Sequence, residues 1–234
     1  MALRSATVLK LTASFVLQSA IFAGLLFVPA GTVCWWRAWV FIGVMCVALP
    51  VVAMAAGVFP TDEDFLNERF KPPIQKGQPL ADKVFVGLFL ASFFGFMAFL
   101  PLDVFRFHLL GEPGPFVSCV GLLLVVAGWW IVSLASKENT FAAPVVKLQE
   151  ERHQTVIDTG VYAVVRHPMY AGGLLLFAGI PLWLGSYAGA LLASAPAGAI
   201  VVRITIEEAF LRRELKGYDA YAARVRYRLI PLLW

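Results

Sequence analysis

Of 234 residues, 60% are hydrophobic and only 15% are charged, and the mean hydropathy is +0.77. Soluble domains carry about 25% charged residues, so this composition excludes an ordinary water-soluble globule and makes lipid the solvent for most of the chain. The net charge of +4 does not argue for nucleic acid, because cytoplasmic retention and anionic headgroups explain it equally well.

Six stretches contain no Asp, Glu, Lys, Arg or His: Leu11–Ala30, Ala38–Gly57, Val84–Leu102, Phe116–Ala135, Tyr170–Leu184 and Tyr187–Val202. The first four hold about 20 residues each, enough at roughly 1.5 Å per residue to cross a hydrocarbon core of about 30 Å. Arg4 and Lys10 precede the first run as they would in a secretory signal, but its length and the second run that follows mark it as a retained span. The last two runs are shorter and are joined by little more than Gly185-Ser186, which predicts a tight helical hairpin. Its arms either stop part-way or continue into polar flanks. Gly185-x-x-x-Gly189 and the small residues that follow suit close helix packing there. The expected fold is therefore all-α: one polytopic membrane domain over 1–234, with four spans in 1–135, then a loop, the hairpin and a C-terminal cytoplasmic helical segment in 136–234.

Of the 19 Lys and Arg residues, all but Arg37 and Arg106 fall on one side if the chain is threaded through these six spans. That bias places both termini in the cytoplasm. Trp35, Trp36 and Trp39 sit at the opposite end of the second span, where an interfacial aromatic belt is expected. Cys34, Cys46 and Cys119 form no CxxC pair, so neither a metal site nor a disulfide is expected. Ionisable residues are missing from all six runs, which argues against a transporter with a midplane site.

Chemistry must then lie in the polar regions Phe59–Lys83, Ser136–Met169 and Arg203–Trp234. The second ends in Arg166-His167-Pro168-Met169-Tyr170 where the chain re-enters the membrane. Pro168 disfavours a helical His167 and suits a first helical turn, so His167 is expected at a helix N-terminus beside free N–H donors. The third opens with Arg203, Glu207 and Glu208. Arg203 and Glu207 share a helix face, while Glu208 is turned roughly 100° away. A guanidinium fork suits a carboxylate or phosphate, and a carboxylate suits an ammonium group or ribose hydroxyls.

The run TGVYAVVRHPMYAGG, the TIEEAFLRREL helix and the GYDAYAARVRYRLIP ending resemble the membrane methyltransferases that include isoprenylcysteine carboxyl methyltransferase and the phospholipid methyltransferases. The resemblance covers roughly the last ~95 residues, and the ERFKPP and KGQPLADKVF pieces look like the shorter prokaryotic members. It implies S-adenosylmethionine as donor, a membrane lipid or lipidated small molecule as acceptor, and a bacterial inner membrane as location. Matching the motifs assigns cofactor contacts to Lys147, Gln154, Thr155, Val156, Ile157, Tyr162, His167, Pro168, Met169, Tyr170 and Glu207. Arg203 matches the position that orients the acceptor. Lys147 stands where Gln is familiar and Gln154 where His is familiar. For an amine acceptor a base is needed, and Glu208 or water is the expected proton acceptor. The membrane sterol reductases share a similar His-Pro-Tyr re-entry but use NADPH, and the Arg203/Glu207/Glu208 helix distinguishes the two in favour of methyl transfer.

Overall fold

The computed structural model describes residues 5–59, 71–72, 74, 80–141 and 153–234, and every regular element among them is helical. Most of the first polar connection and Lys147 lie outside the described residues. The first span is α1 (Ser5–Ala30). The second, α2, runs from Trp36 to Ala55 with a π-helical turn at Val44–Ala48. The third, α3, is Leu80–Leu102 and continues through a second π turn, Asp103–Phe107. Each π turn lies beside a proline, Pro50 or Pro101, whose missing N–H interrupts the i→i−4 ladder and lets the helix widen.

The fourth span, α4, is Pro115–Glu138 and the fifth, α5, is Pro168–Leu184. The last, α6, has two pieces, Tyr187–Leu192 and Ser194–Glu214, hinged at Ala193. A short α7 (Tyr218–Arg224) follows. Five helices are long and apolar enough to cross a membrane, and α5 is a shorter apolar one. All six charge-free runs are thus helices in one apolar bundle, cored by residues such as Phe41, Met97, Leu100, Phe177 and Leu184. The final arm does not stop at Val202: its helix runs on to Glu214 and carries Arg203, Glu207 and Glu208 with it.

The turn between α5 and α6 is built as its sequence suggests. Gly185 adopts φ 103°, a left-handed cap that a side chain would strain, and the N–H groups of Gly185 and Ser186 both donate to Pro181 O at 2.9 Å. Ser186 Oγ accepts from Gly189 N at 2.7 Å and donates to Asp103 Oδ2 at 2.6 Å. Leu109 N donates to Asp103 Oδ1 at 3.0 Å, so a buried carboxylate just beyond the third run ties α3 to this turn. Gly189 packs closely, since an added Cβ would overlap Leu100, whereas Gly198 faces open space.

The tightest helix pair is α4 with α5. Gly121 and Gly128 on α4 meet Gly179 and Gly172 on antiparallel α5. A Cβ at Gly128 would stand 2.6 Å from Gly172 O, and one at Gly179 would stand 2.5 Å from Gly121 O. These backbones touch with no side chain between them, the close approach that small residues permit where lipid supplies no hydrophobic drive.

Candidate active site

Pro168 starts α5 and leaves His167 as its N-cap with non-helical dihedrals (φ −126°, ψ 59°). Immediately upstream the chain forms a short 3₁₀ helix, Gly160–Ala163, laid against α4, where Thr159 Oγ1 donates to Glu138 Oε2 at 2.9 Å. The backbone of Arg166 and His167 then pairs with the C-terminal segment: their N–H groups donate to Tyr227 O and Arg228 O, each at 2.9 Å. Tyr221 on α7 reaches back to donate its hydroxyl to Tyr162 O at 2.8 Å, and Arg224 pairs with Asp158. The pre-α5 strap and the tail are therefore one polar layer closing the end of the bundle.

Glu208 holds that layer together. Arg166 Nε donates to its Oε1 at 2.7 Å, His167 Nε2 lies 3.1 Å from the same oxygen, and Arg228 Nε donates to Oε2 at 3.1 Å. Arg166 Nη1 donates to Val225 O at 2.7 Å and to Arg226 O at 2.9 Å. Arg166, His167 and Glu208 are all buried. A carboxylate so placed is an ion-pair hub, whose charge is balanced by charge-assisted hydrogen bonds rather than by water.

Beside this hub lies a cavity of about 420 Å³. It is within the range of small-molecule sites, ~300–1,000 Å³. Its wall takes Phe85 and Phe89 from α3, and Met169, Tyr170, Gly173 and Phe177 from one face of α5. From α6 come Ile200, Arg203, Glu207 and Phe210, again one helix face, and from the strap Gln154, Thr155, Val156, Ile157 and Tyr162. Ten of the site residues expected from sequence thus meet on one cavity: Gln154, Thr155, Val156, Ile157, Tyr162, His167, Met169, Tyr170, Arg203 and Glu207. Pro168 is fully buried at the helix start and does not line the cavity, and Lys147 lies outside the described residues. Glu208, expected as a proton acceptor, does not line it either: the 100° rotation from Glu207 sends its carboxylate into the Arg166–His167–Arg228 hub instead.

On the wall the chemistry is paired. Tyr170 donates its hydroxyl to Glu207 Oε2 at 2.6 Å, and its ring lies 5.7 Å from that of His167. Arg203 is buried, with its guanidinium carbon 5.1 Å from the centroid of Phe85, so a cation stands among aromatic and aliphatic side chains. Two more aromatics, Tyr218 and Tyr221, line the cavity from the tail side. Burial pushes the Tyr221 phenol up to about 12 and the Tyr218 phenol higher still, with Glu208 adding to the second, so both are neutral near pH 7. Among the described residues the buried Tyr218 hydroxyl has no hydrogen-bond partner. Sequence reasoning assigned no role in the site to Arg166, Arg228, Tyr218 or Tyr221, although Arg166 stands in the re-entry motif and the other three in the GYDAYAARVRYRLIP ending.

Residues 116–216 match the family model for phospholipid methyltransferases. Over 119 residues the chain is 34% identical to a probable protein-S-isoprenylcysteine O-methyltransferase of Oryza sativa subsp. indica and equally to that of subsp. japonica. It is 29% identical over 118 residues to protein-S-isoprenylcysteine O-methyltransferase B of Arabidopsis thaliana. These similarities cover 47% of this chain, 59% of the rice proteins and 57% of the Arabidopsis protein, so the chain spans less than two thirds of the relatives it matches. The matched part contains nearly all of α4 together with the strap, α5 and α6, and the strap, α5 and α6 supply most of the cavity wall. The 116–216 part of the chain is thus similar to the phospholipid methyltransferase family, and the chain shares about a third of its residues with isoprenylcysteine methyltransferases over the stretch that aligns.

Proposed function

We propose that this protein transfers a methyl group from S-adenosylmethionine to a lipidic or apolar acceptor, a prenylcysteine-like carboxylate or a phospholipid amine, at the cytoplasmic face of the membrane. The observation that carries this reading is the composition of one cavity wall: membrane-helix aromatics and aliphatics meet Arg203, Glu207, His167 and the 154–157 strap around about 420 Å³. The residues present fit the donor. Glu207 offers a carboxylate for ribose hydroxyls or an ammonium group, the strap offers main-chain and side-chain polar groups, and Tyr162 and Met169 offer apolar surface. The family match favours methyl transfer over the NADPH-dependent reductase chemistry.

When bound, S-adenosylmethionine supplies an electrophilic methyl group on a positively charged sulfur. The protein's part is alignment and exclusion of water, which carry much of the rate in an in-line displacement. Arg203 orients an anionic acceptor, and its contact with Phe85 holds the guanidinium at the boundary between apolar wall and polar strap. Glu207, fixed by Tyr170, faces the cavity, and for an amine acceptor it is the wall carboxylate placed to take the proton. Glu208 acts as a positioning residue through Arg166 and His167. The 17 of 19 Lys and Arg residues on one side, all except Arg37 and Arg106, support a cytoplasmic site and cytoplasmic termini.

Isothermal titration of the purified protein in nanodiscs tests this. Saturable S-adenosylmethionine binding is expected, and saturable NADPH binding in its place overturns the assignment. Isotope-labelled S-adenosylmethionine added to membranes with and without the protein then identifies the lipid that gains the label.

A further inference from the structure

Tyr218 opens α7 just beyond the part of the chain that matches the methyltransferase family. Its side chain is only 4% exposed and lines the cavity, yet its hydroxyl is a buried side-chain polar atom with no hydrogen-bond partner among the described residues. Native folds leave few such groups, and each one calls for a cause. The neighbouring Tyr221 shows the ordinary solution: its ring packs 5.7 Å from that of Tyr218, and its hydroxyl is satisfied by Tyr162 O at 2.8 Å. Packing alone gives no reason for the Tyr218 hydroxyl, since a phenylalanine would fill the same volume among Val156, Leu211, Leu215 and Tyr221. The group stands where Glu208, Arg166 and Glu207 act on it electrostatically, in a cavity whose wall also carries Glu207, Arg166 and Arg203. It is neutral at neutral pH, so it can both donate and accept.

We propose that the Tyr218 hydroxyl is a hydrogen-bond partner of a polar group on the bound methyl donor, an inference that rests on the methyltransferase reading above. The burial of an unpaired hydroxyl in the free protein is then the cost of a contact made only in the complex. Tyr221, by contrast, belongs to the scaffold.

The test compares wild type, Tyr218→Phe and Tyr221→Phe in nanodiscs, with S-adenosylhomocysteine titrated calorimetrically and thermal unfolding followed without ligand. Tyr218→Phe is expected to weaken S-adenosylhomocysteine binding roughly five- to ten-fold while the ligand-free midpoint stays level or rises, because an orphan hydroxyl contributes nothing to the free fold. Tyr221→Phe is expected to lower the ligand-free midpoint. Wild-type binding with unchanged affinity in Tyr218→Phe overturns this inference alone, as does a lowered ligand-free midpoint in that variant. Absence of binding in wild type overturns the methyltransferase reading itself. Methylthioadenosine as a second probe locates the contact: an equal loss with both compounds places it on the nucleoside, and a loss confined to S-adenosylhomocysteine places it on the amino-acid end.

Discussion

Gly172 and Gly173 are neighbours on α5 with opposite surroundings. A Cβ at Gly172 would stand 2.6 Å from Gly128 O, whereas one at Gly173 would meet no atom within 4 Å. One face of α5 is closed backbone to backbone on α4, and the other, with Met169, Tyr170 and Phe177, opens on the cavity. The contrast teaches that glycine serves two purposes here a few ångströms apart: on one side it removes space to build a rigid pair, and on the other it leaves space for ligand. Rigidity behind the site gives whatever enters the cavity a fixed wall to be held against.

The largest break should come on the closed side of the molecule, at the hub. Glu208→Ala strands the Arg166 and Arg228 guanidinium groups, and loss of one partner from a buried ion pair costs about 3–5 kcal/mol. A strongly lowered melting temperature in detergent is expected, with donor binding lost because the strap is no longer fixed. Retention of the wild-type melt would show that water or other carbonyls replace the carboxylate. Next in size is Gly172→Val, which forces α4 and α5 apart at Gly128. Overpacking of about 1–3 kcal/mol is expected in the melt, with α4–α5 contacts loosened.

On the open side the effects should move from folding to turnover. Arg203→Ala is expected to abolish methylation of an anionic acceptor while donor affinity stays within a few-fold, the lost charged hydrogen bond being about 1.5–3 kcal/mol. Equal losses of donor binding and turnover would move Arg203 into the donor site. The smallest change in stability is expected for Gly173→Leu, where helix propensity improves by up to ~1 kcal/mol and a Cβ meets no atom within 4 Å. Its melt should be level or raised while turnover of a long-chain acceptor falls. Unchanged turnover would place the acceptor away from this face of α5.

The six helices were legible because a residue of the wrong solvent is expensive in lipid, so the absence of charge marks each span. For the second arm of the hairpin the same signal left open whether the helix stops part-way or continues into its polar flank. Charge reappears at Arg203, but that marks the membrane surface, not the helix end, and the helix continues to Glu214. The cavity residues were legible mainly through the resemblance to the membrane methyltransferases, and helical spacing by itself joined only Arg203 with Glu207. The role of Glu208 was not, because its partners Arg166 and Arg228 lie 42 and 20 residues away, and only the folded chain decides which of two adjacent glutamates meets them. The α4–α5 contact left a trace that passed unread: Gly121 and Gly128, like Gly172 and Gly179, are two turns apart. Recognising it needs both helices at once.

The two main-chain hydrogen bonds from Arg166 and His167 to Tyr227 and Arg228 also set an order of events during synthesis. When the first five helices have entered the bilayer, Arg166 has neither Glu208 nor the carbonyls of Val225 and Arg226 to meet it. The polar layer beside the cavity therefore closes last, once the segment carrying Val225 to Arg228 has been made, and a chain cut short near α7 would keep most of the cavity wall but lack the carbonyls that fix Arg166 and His167.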